Sequence, residues 1–407
     1  MLNKKVKFNI CNIYILFWCM YMAQDFFGVR GIVAQGLLII NLIVSFYYMI
    51  YAIMKYKFSD YMRALTWFLF MLTCYGIVLI LNGDKVYLNT GAPGFGFMVS
   101  NSDYIKTILV SLLPIYPFYV FARRGMVTET SMRKWLYIFI FIITCHFFQM
   151  QRQYLFLVAE TGIDHEEVTN NVGYMFLSLL PMAVFLYKKP MQLFLVLSYC
   201  ILFLIMGMKR GAILIGALAI GLILFRLSGG SGKYANKKYF IVTCLVLLIG
   251  YFVVMYYMAH SDYFISRLEK TMAGDSSARD VLYTTFYSHF VNNTDTWQFF
   301  FGSGALATLK VYGQYAHNDW LELAVNQGIL GIMIYMAYWL AANREWKSSD
   351  KNHISSLALM LVFLICFMKS LFSMSYGGMN YILTMTLGYC LAQNQMIKMS
   401  KRRKLRI

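Results

Sequence analysis

What most constrains this chain is a series of apolar runs, each near the ~20 residues that an α-helix needs to cross the hydrocarbon of a bilayer. They fall at 8–24, 31–54, 64–81, 104–121, 135–150, 171–187, 191–207, 211–226, 239–258, 321–342, 354–372 and 381–397. Twelve such runs in 407 residues leave little chain for anything else. The two most closely spaced runs, 191–207 and 211–226, could merge into one long helix, but the intervening Gly207-Met208-Lys209-Arg210-Gly211 predicts a tight hairpin. Two glycines and two cations are costly at mid-membrane.

The composition points the same way. Hydrophobic residues make up 60% of the chain and charged residues 13%, with a mean hydropathy of +0.57. A soluble domain has roughly 45–50% apolar and about 25% charged residues. This chain therefore lacks the polar surface of a soluble enzyme, and it is neither a disordered protein nor a secreted disulfide scaffold. Most of its eight cysteines sit inside apolar runs with no CxxC pair, which reads as small buried hydrophobes and not as a redox or zinc framework. The start, Asn3-Lys4-Lys5-Val6-Lys7, enters the first run without a small-residue cleavage site, so a retained anchor is expected.

The formal net charge of +18 would suggest nucleic acid in a soluble protein; in an apolar chain it reports orientation. If twelve spans alternate from a cytosolic N-terminus, the cytosolic side holds 25 of the 36 Lys and Arg but only Asp60, Glu129, Glu345 and Asp350 among the acids. That side then carries +21 and the other −3. The positive-inside rule thus predicts a multi-pass membrane protein of twelve spans with both termini cytosolic. The fold class expected is all-α and polytopic, with about twelve transmembrane helices and a large extracytoplasmic loop carrying short helices.

Three parts follow: 1–258 with nine spans, an outer segment at 259–320, and 321–407 with three spans and a basic tail. Cytosolic connections are short, and the longest, Ser228 to Lys238, is a Gly/Ser/Lys linker with no room for a nucleotide-binding domain. No P-loop or Gly-rich dinucleotide turn occurs. The outer side has segments 82–103, with Gly91-Ala92-Pro93-Gly94 as a turn, 151–170 and 259–320. A sixty-residue connection between membrane helices is a place to look for chemistry. The two halves show no internal repeat, which argues against an inverted-repeat transporter.

In the large outer segment, Asp275-Ser276-Ser277-Ala278-Arg279 precedes apolar residues at helical spacing and reads as an interfacial helix with Arg279 in its first turn. A loop, Gly302-Ser303-Gly304, follows. Then Ala316-His317-Asn318-Asp319-Trp320-Leu321-Glu322 opens the tenth span, which continues Asn326-Gln327-Gly328-Ile329-Leu330-Gly331. Asp164-His165-Glu166-Glu167 could suggest a metal site, but adjacent ligands on a flexible loop seldom converge on one ion, and an acidic surface patch is the simpler reading. His317 alone could equally be an interfacial histidine, Arg210 a snorkelling cation, Arg279 a partner of Asp275 and Arg152 a loop cation. Lys369 and His146, near outer span ends, could contact substrate or merely reach the interface.

The string His-Asn-x-x-Leu-Glu with a following Gly-Ile-Leu-Gly, together with Lys209-Arg210-Gly211-Ala212 between two mid-chain spans, resembles the O-antigen polymerase and O-antigen ligase superfamily. The long outer loop before the His motif is similar as well. Two departures stand out: Lys209 lies where a Ser commonly precedes the Arg, and Asn326 lies where an acid often stands, so no carboxylate acts at that position here. The resemblance implies an undecaprenyl-diphosphate-linked oligosaccharide as donor and another as acceptor, with glycan transfer at the outer face of the bacterial cytoplasmic (inner) membrane. It implies no cofactor or metal, and a chain-length regulator as a partner. On this reading His317 is the general base, and Arg210 and Arg279 clamp the diphosphate leaving group. Arg152, Lys209, Asn318, Trp320 and Lys369 bind substrate, with the Trp320 ring available to stack on a sugar. The function expected is polymerisation of repeat units for O-antigen, capsule or exopolysaccharide. The alternatives are a ligase that moves finished polymer to another acceptor and, from a different class, a flippase.

Overall fold

In the computed structural model, the residues described are 10–26, 31–83, 85–89, 96–161, 171–228, 238–261, 264–266, 269, 279–292, 294–376 and 381–404. Among the described residues the protein is helical apart from one short antiparallel strand pair, and 84% of those residues are helix. The helices are α1 (Ile10–Phe26), α2 (Ile32–Lys55), α3 (Asp60–Asn82), α4 (Asn101–Leu112), α5 (Ile115–Arg123), α6 (Glu129–Thr161), α7 (Gly173–Ala183), α8 (Pro190–Met206), α9 (Arg210–Ser228), α10 (Lys238–His260), α11 (Arg279–Asn292), α12 (Thr296–Phe301), α13 (Ala307–Tyr312), α14 (Asp319–Lys347), α15 (Ile354–Phe372) and α16 (Tyr381–Lys404).

Among the described residues, eight helical segments are long and apolar enough to cross a bilayer: α2, α3, α4 with α5, α6 to Gln153, α9, α10, α14 and α15. Three shorter apolar helices, 10–24, 173–186 and 190–206, fall on other predicted runs. This is an all-α polytopic membrane protein. Its outer helices carry large apolar side chains into the surroundings, as Phe240, Leu247, Tyr251 and Phe252 do on α10, which suits lipid and not water.

Prolines explain where the apolar runs break. Pro114 lies between α4 and α5, and Pro181 is followed by a 3-10 turn at Val184–Leu186. Pro190 begins α8, where its missing N–H costs nothing. The expected hairpin at 207–211 is present, with α8 ending at Met206 and α9 beginning at Arg210. Met208, at φ 51°, turns the chain there. Segment 82–103 holds an antiparallel strand pair, β1 (Val86–Asn89) and β2 (Gly96–Val99), in register Val86 with Val99. The turn predicted at 91–94 lies outside the described residues.

Within the bundle, hydroxyl pairs tie helices together, buried from Tyr14 to Ser45 at 2.6 Å and Tyr61 to Tyr338 at 2.7 Å, and half-buried from Thr66 to Tyr116 at 2.8 Å and Thr144 to Tyr199 at 2.8 Å. One continuous apolar core runs through the helices. A second cluster, Leu282, Phe286, Phe290, Ala307, Ala316, Ala324 and Val325, joins α11 and residues 307–316 to the first half of α14. The residues on either side of 320 thus fold as one unit.

Candidate functional site

The tenth predicted span is not a continuous helix. Gly328 has φ 67° and ψ −159° inside α14, dividing it into a buried first half, 319–327, and a longer second half. A break at membrane depth frees backbone groups that need partners. Here the loop 302–304 supplies them: Ser303 N–H donates to the Val325 carbonyl at 2.9 Å and Gly304 N–H to the Asn326 carbonyl at 3.0 Å. The crossing is so close that a Cβ on Gly302 would lie 2.3 Å from the Asn326 carbonyl oxygen, and one on Gly328 would lie 2.6 Å from the Gly302 nitrogen. Both glycines also have positive φ, so no other residue type fits either position without moving backbone.

Glu322, one turn into α14, is fully buried and pins the loop before the helix. Its carboxylate accepts from Thr308 Oγ1 at 2.5 Å, Asn326 Nδ2 at 2.9 Å and the Ala316 N–H at 2.9 Å. Asn326 in turn accepts from the Thr308 N–H at 3.2 Å. The acid of the His-Asn-x-x-Leu-Glu string is therefore occupied with architecture.

His317 stands at the mouth of this construction with φ 51°, a left-handed backbone that few non-glycine residues adopt. Its neighbours impose it. The preceding N–H is held by Glu322, its own carbonyl accepts from Tyr283 Oη at 3.4 Å, and Asn318 caps α14 by accepting from the N–H groups of Trp320 at 2.9 Å and Leu321 at 3.2 Å. The imidazole remains at the surface. Partial loss of hydration, followed by the positive charges of Arg279 and Lys209, lowers its pKa below the ordinary 6.5.

The C-terminal end of α15 gathers the rest. Its last carbonyls have no intrahelical partner; that of Leu371 accepts from Asn318 Nδ2 at 3.2 Å and Tyr283 Oη at 3.4 Å, and that of Phe372 from the Arg279 guanidinium at 2.8 Å. Beneath lies Asp319, fully buried, accepting from Tyr335 Oη at 2.7 Å, the Ser375 N–H at 2.9 Å and the Tyr376 N–H at 3.4 Å. Lys369, also buried, interacts electrostatically with Asp319. Its Nζ lies 5.9 Å from the centre of the Tyr174 ring. Tyr174 connects this group to α9, since a Cβ at Gly211 would lie 2.4 Å from its hydroxyl.

Of the residues expected from sequence, Lys209, Arg279, His317, Asn318 and Lys369 are thus brought together where the N-terminal ends of α7, α9, α11 and α14 meet the C-terminal end of α15. Arg210 is the first residue of α9, half-buried, adjacent to Lys209. Asn318 has both ends of its amide engaged within the protein, as a cap and not as a free substrate contact. Trp320 packs its ring 4.9 Å from that of Tyr335, within the bundle. Arg152, expected on a loop, lies exposed on α6, which continues to Thr161. His146 is buried on the same helix. Asp275 and 164–167 lie outside the described residues. Among the described residues, no three His, Cys, Asp or Glu lie together in a way that could hold a metal ion.

Sequence reasoning passed over Asp319, the structural role of Glu322, and Tyr174, Tyr283 and Tyr335. The acids did leave a signal: Asp319, Glu322 and Asn326 repeat at helical spacing inside an apolar run, which places three polar groups on one buried face. No protein-family model matches the chain, and no curated protein sequence matches it.

Proposed function

We propose that this protein polymerises lipid-diphosphate-linked oligosaccharide repeat units by metal-independent, inverting glycosyl transfer. The observation that carries the reading is a set of cations gathered at helix N-termini beside His317. Arg210 and Arg279 are the first residues of α9 and α11, and Lys209 precedes α9. Helix N-termini are partially positive and favour anions. Arg279 is held by the Phe372 carbonyl at the negative end of α15, with Asp280 in the same first turn; cations gathered at helix N-termini favour an anion there, phosphate above all. A diphosphate leaving group supplies that anion, and the cluster would stabilise the charge that develops as the glycosidic bond breaks.

His317 is the base. Its lowered pKa keeps the imidazole neutral near neutral pH, ready to accept the proton of the acceptor hydroxyl. The hydroxyl oxygen bonds to the anomeric carbon as the bond to the diphosphate breaks on the opposite face, so the lipid diphosphate leaves and the configuration inverts. The resemblance of the His317 and Arg210 strings to the O-antigen polymerase and ligase superfamily supports this reading. The charge partition supports twelve spans, cytosolic termini and an extracytoplasmic site, with the three shorter apolar helices and α16 completing the count.

The break at Gly328 is the observation that would favour a transporter, because discontinuous helices line many substrate paths. Its freed carbonyls are bonded to the 302–304 loop, so it acts as a fixed joint, and glycosyl transfer remains the better reading. The test is the surface glycan of a strain lacking the gene. Single repeat units on the usual acceptor are expected; long chains left on the lipid carrier would make the protein a ligase, and repeat units retained inside the cell a flippase.

A further inference from the structure

At the far end of α14 from His317, roughly 35–40 Å along the helix, a cavity of about 580 Å³ opens between the α2–α3 turn, the end of α14 and the end of α16. Lys57, Arg344, Lys398 and Arg402 line it, with Phe58 and Met399 contributing apolar wall. Two acids also line it, Asp60 and Glu345, and both are already committed. Asp60 pairs with Arg63, while the buried carboxylate of Glu345 accepts from Lys398 Nζ at 3.0 Å and from Asn394 Nδ2. Among the described residues, Lys57, Arg344 and Arg402 make no ion pair or side-chain hydrogen bond, and all three are exposed.

Three uncompensated cations around one concave site repel each other, and that repulsion is relieved by an anion of matching size. We propose that this cavity binds a phosphate-bearing anion, held by Lys57, Arg344 and Arg402. The position favours the phosphodiester of an anionic phospholipid: the cavity lies where three membrane-length or adjoining helices end, and a wall of Phe58 and Met399 beside the cations suits a headgroup joined to acyl chain. Lys398, steered by Glu345 and by Ser348 Oγ at 2.8 Å, closes one side.

The test compares wild type with the triple variant Lys57→Gln, Arg344→Gln, Arg402→Gln, and with Lys134→Gln, an exposed cation outside the cavity, as the charge control. The full-length protein is extracted, delipidated and analysed by native mass spectrometry for retained phosphatidylglycerol against phosphatidylcholine. Its thermal stability is measured with inorganic phosphate alone and in phosphatidylglycerol nanodiscs. Wild type and the Lys134 variant are expected to retain phosphatidylglycerol, and the triple variant to lose it by roughly a hundredfold, about fivefold per cation. Stabilisation of wild type by inorganic phosphate, absent in the triple variant, would assign the same chemistry to a soluble phosphate. Equal lipid retention and equal phosphate response in all three proteins would overturn the proposal.

Discussion

Replacing Glu322 separates architecture from chemistry at the motif that carries His317. A carboxylate in a His-Asn-x-x-Leu-Glu string invites a catalytic role, yet both of its oxygens are consumed by Thr308, Asn326 and the Ala316 N–H. Glu322→Ala leaves three buried donors without an acceptor, at about 1–3 kcal/mol each. The expected loss is therefore about 3–9 kcal/mol, enough to release the 305–317 segment and with it the His317 backbone. Glu322→Gln keeps one acceptor oxygen for Thr308 and Asn326 but turns an amide donor toward the Ala316 N–H, so one donor remains unsatisfied and the expected loss is about 1–3 kcal/mol. Thermal unfolding of the purified protein in detergent, followed by monodispersity and tryptophan fluorescence, reads both values. The order wild type, Gln, Ala in stability is expected, with activity falling in the same order. A Glu322→Gln protein as stable as wild type but inactive would refute the reasoning, since the acid would then act on substrate.

Further outcomes follow from the same contacts. Gly328→Ala, which places a Cβ 2.6 Å from the Gly302 nitrogen at positive φ, should destabilise by about 3 kcal/mol or more, and poor yield of folded protein measures it. Gly211→Ala drives a Cβ to 2.4 Å from the Tyr174 hydroxyl, so the single variant should lose about 1–3 kcal/mol and addition of Tyr174→Phe should restore most of it. Because Arg279 lowers the His317 pKa, Arg279→Gln should move the acidic limb of the kcat/KM profile upward in pH, while a limb that stays in place would remove His317 as the titrating base. A bound diphosphate should likewise raise the limb of kcat above that of kcat/KM in wild type.

Much of the helical framework was legible because apolar length is a signal each segment carries by itself. The hairpin at 207–211 was legible for a similar reason, since glycines and cations mark it locally. The strand pair at 86–99 had a signal in Val86-Tyr87-Leu88 and Phe97-Met98-Val99 on either side of a Gly/Pro turn, but short strands between long helices are easily passed over. The break at Gly328 was not legible. Glycine within an apolar helix is ordinary, and what makes this one a break is a loop some twenty-five residues earlier that receives the freed carbonyls. The candidate site was partly legible: the motif strings pointed to Lys209, His317 and Asn318, and charges near helix and span ends to Arg279 and Lys369, but neither signal could separate a cap such as Asn318 from a ligand. That separation depends on Leu371 and Phe372, whose carbonyls matter only because α15 happens to end beside α11 and α14.

The central claim is that the cations and His317 at these helix ends join one repeat unit to the next. The direct measurement gives purified protein in nanodiscs a lipid-diphosphate-linked repeat unit as both donor and acceptor and resolves the products by chain length. Wild type should yield a ladder of longer chains with release of lipid diphosphate, and His317→Ala, equally folded, should yield none. A ladder of unchanged length and rate from His317→Ala would contradict the assignment.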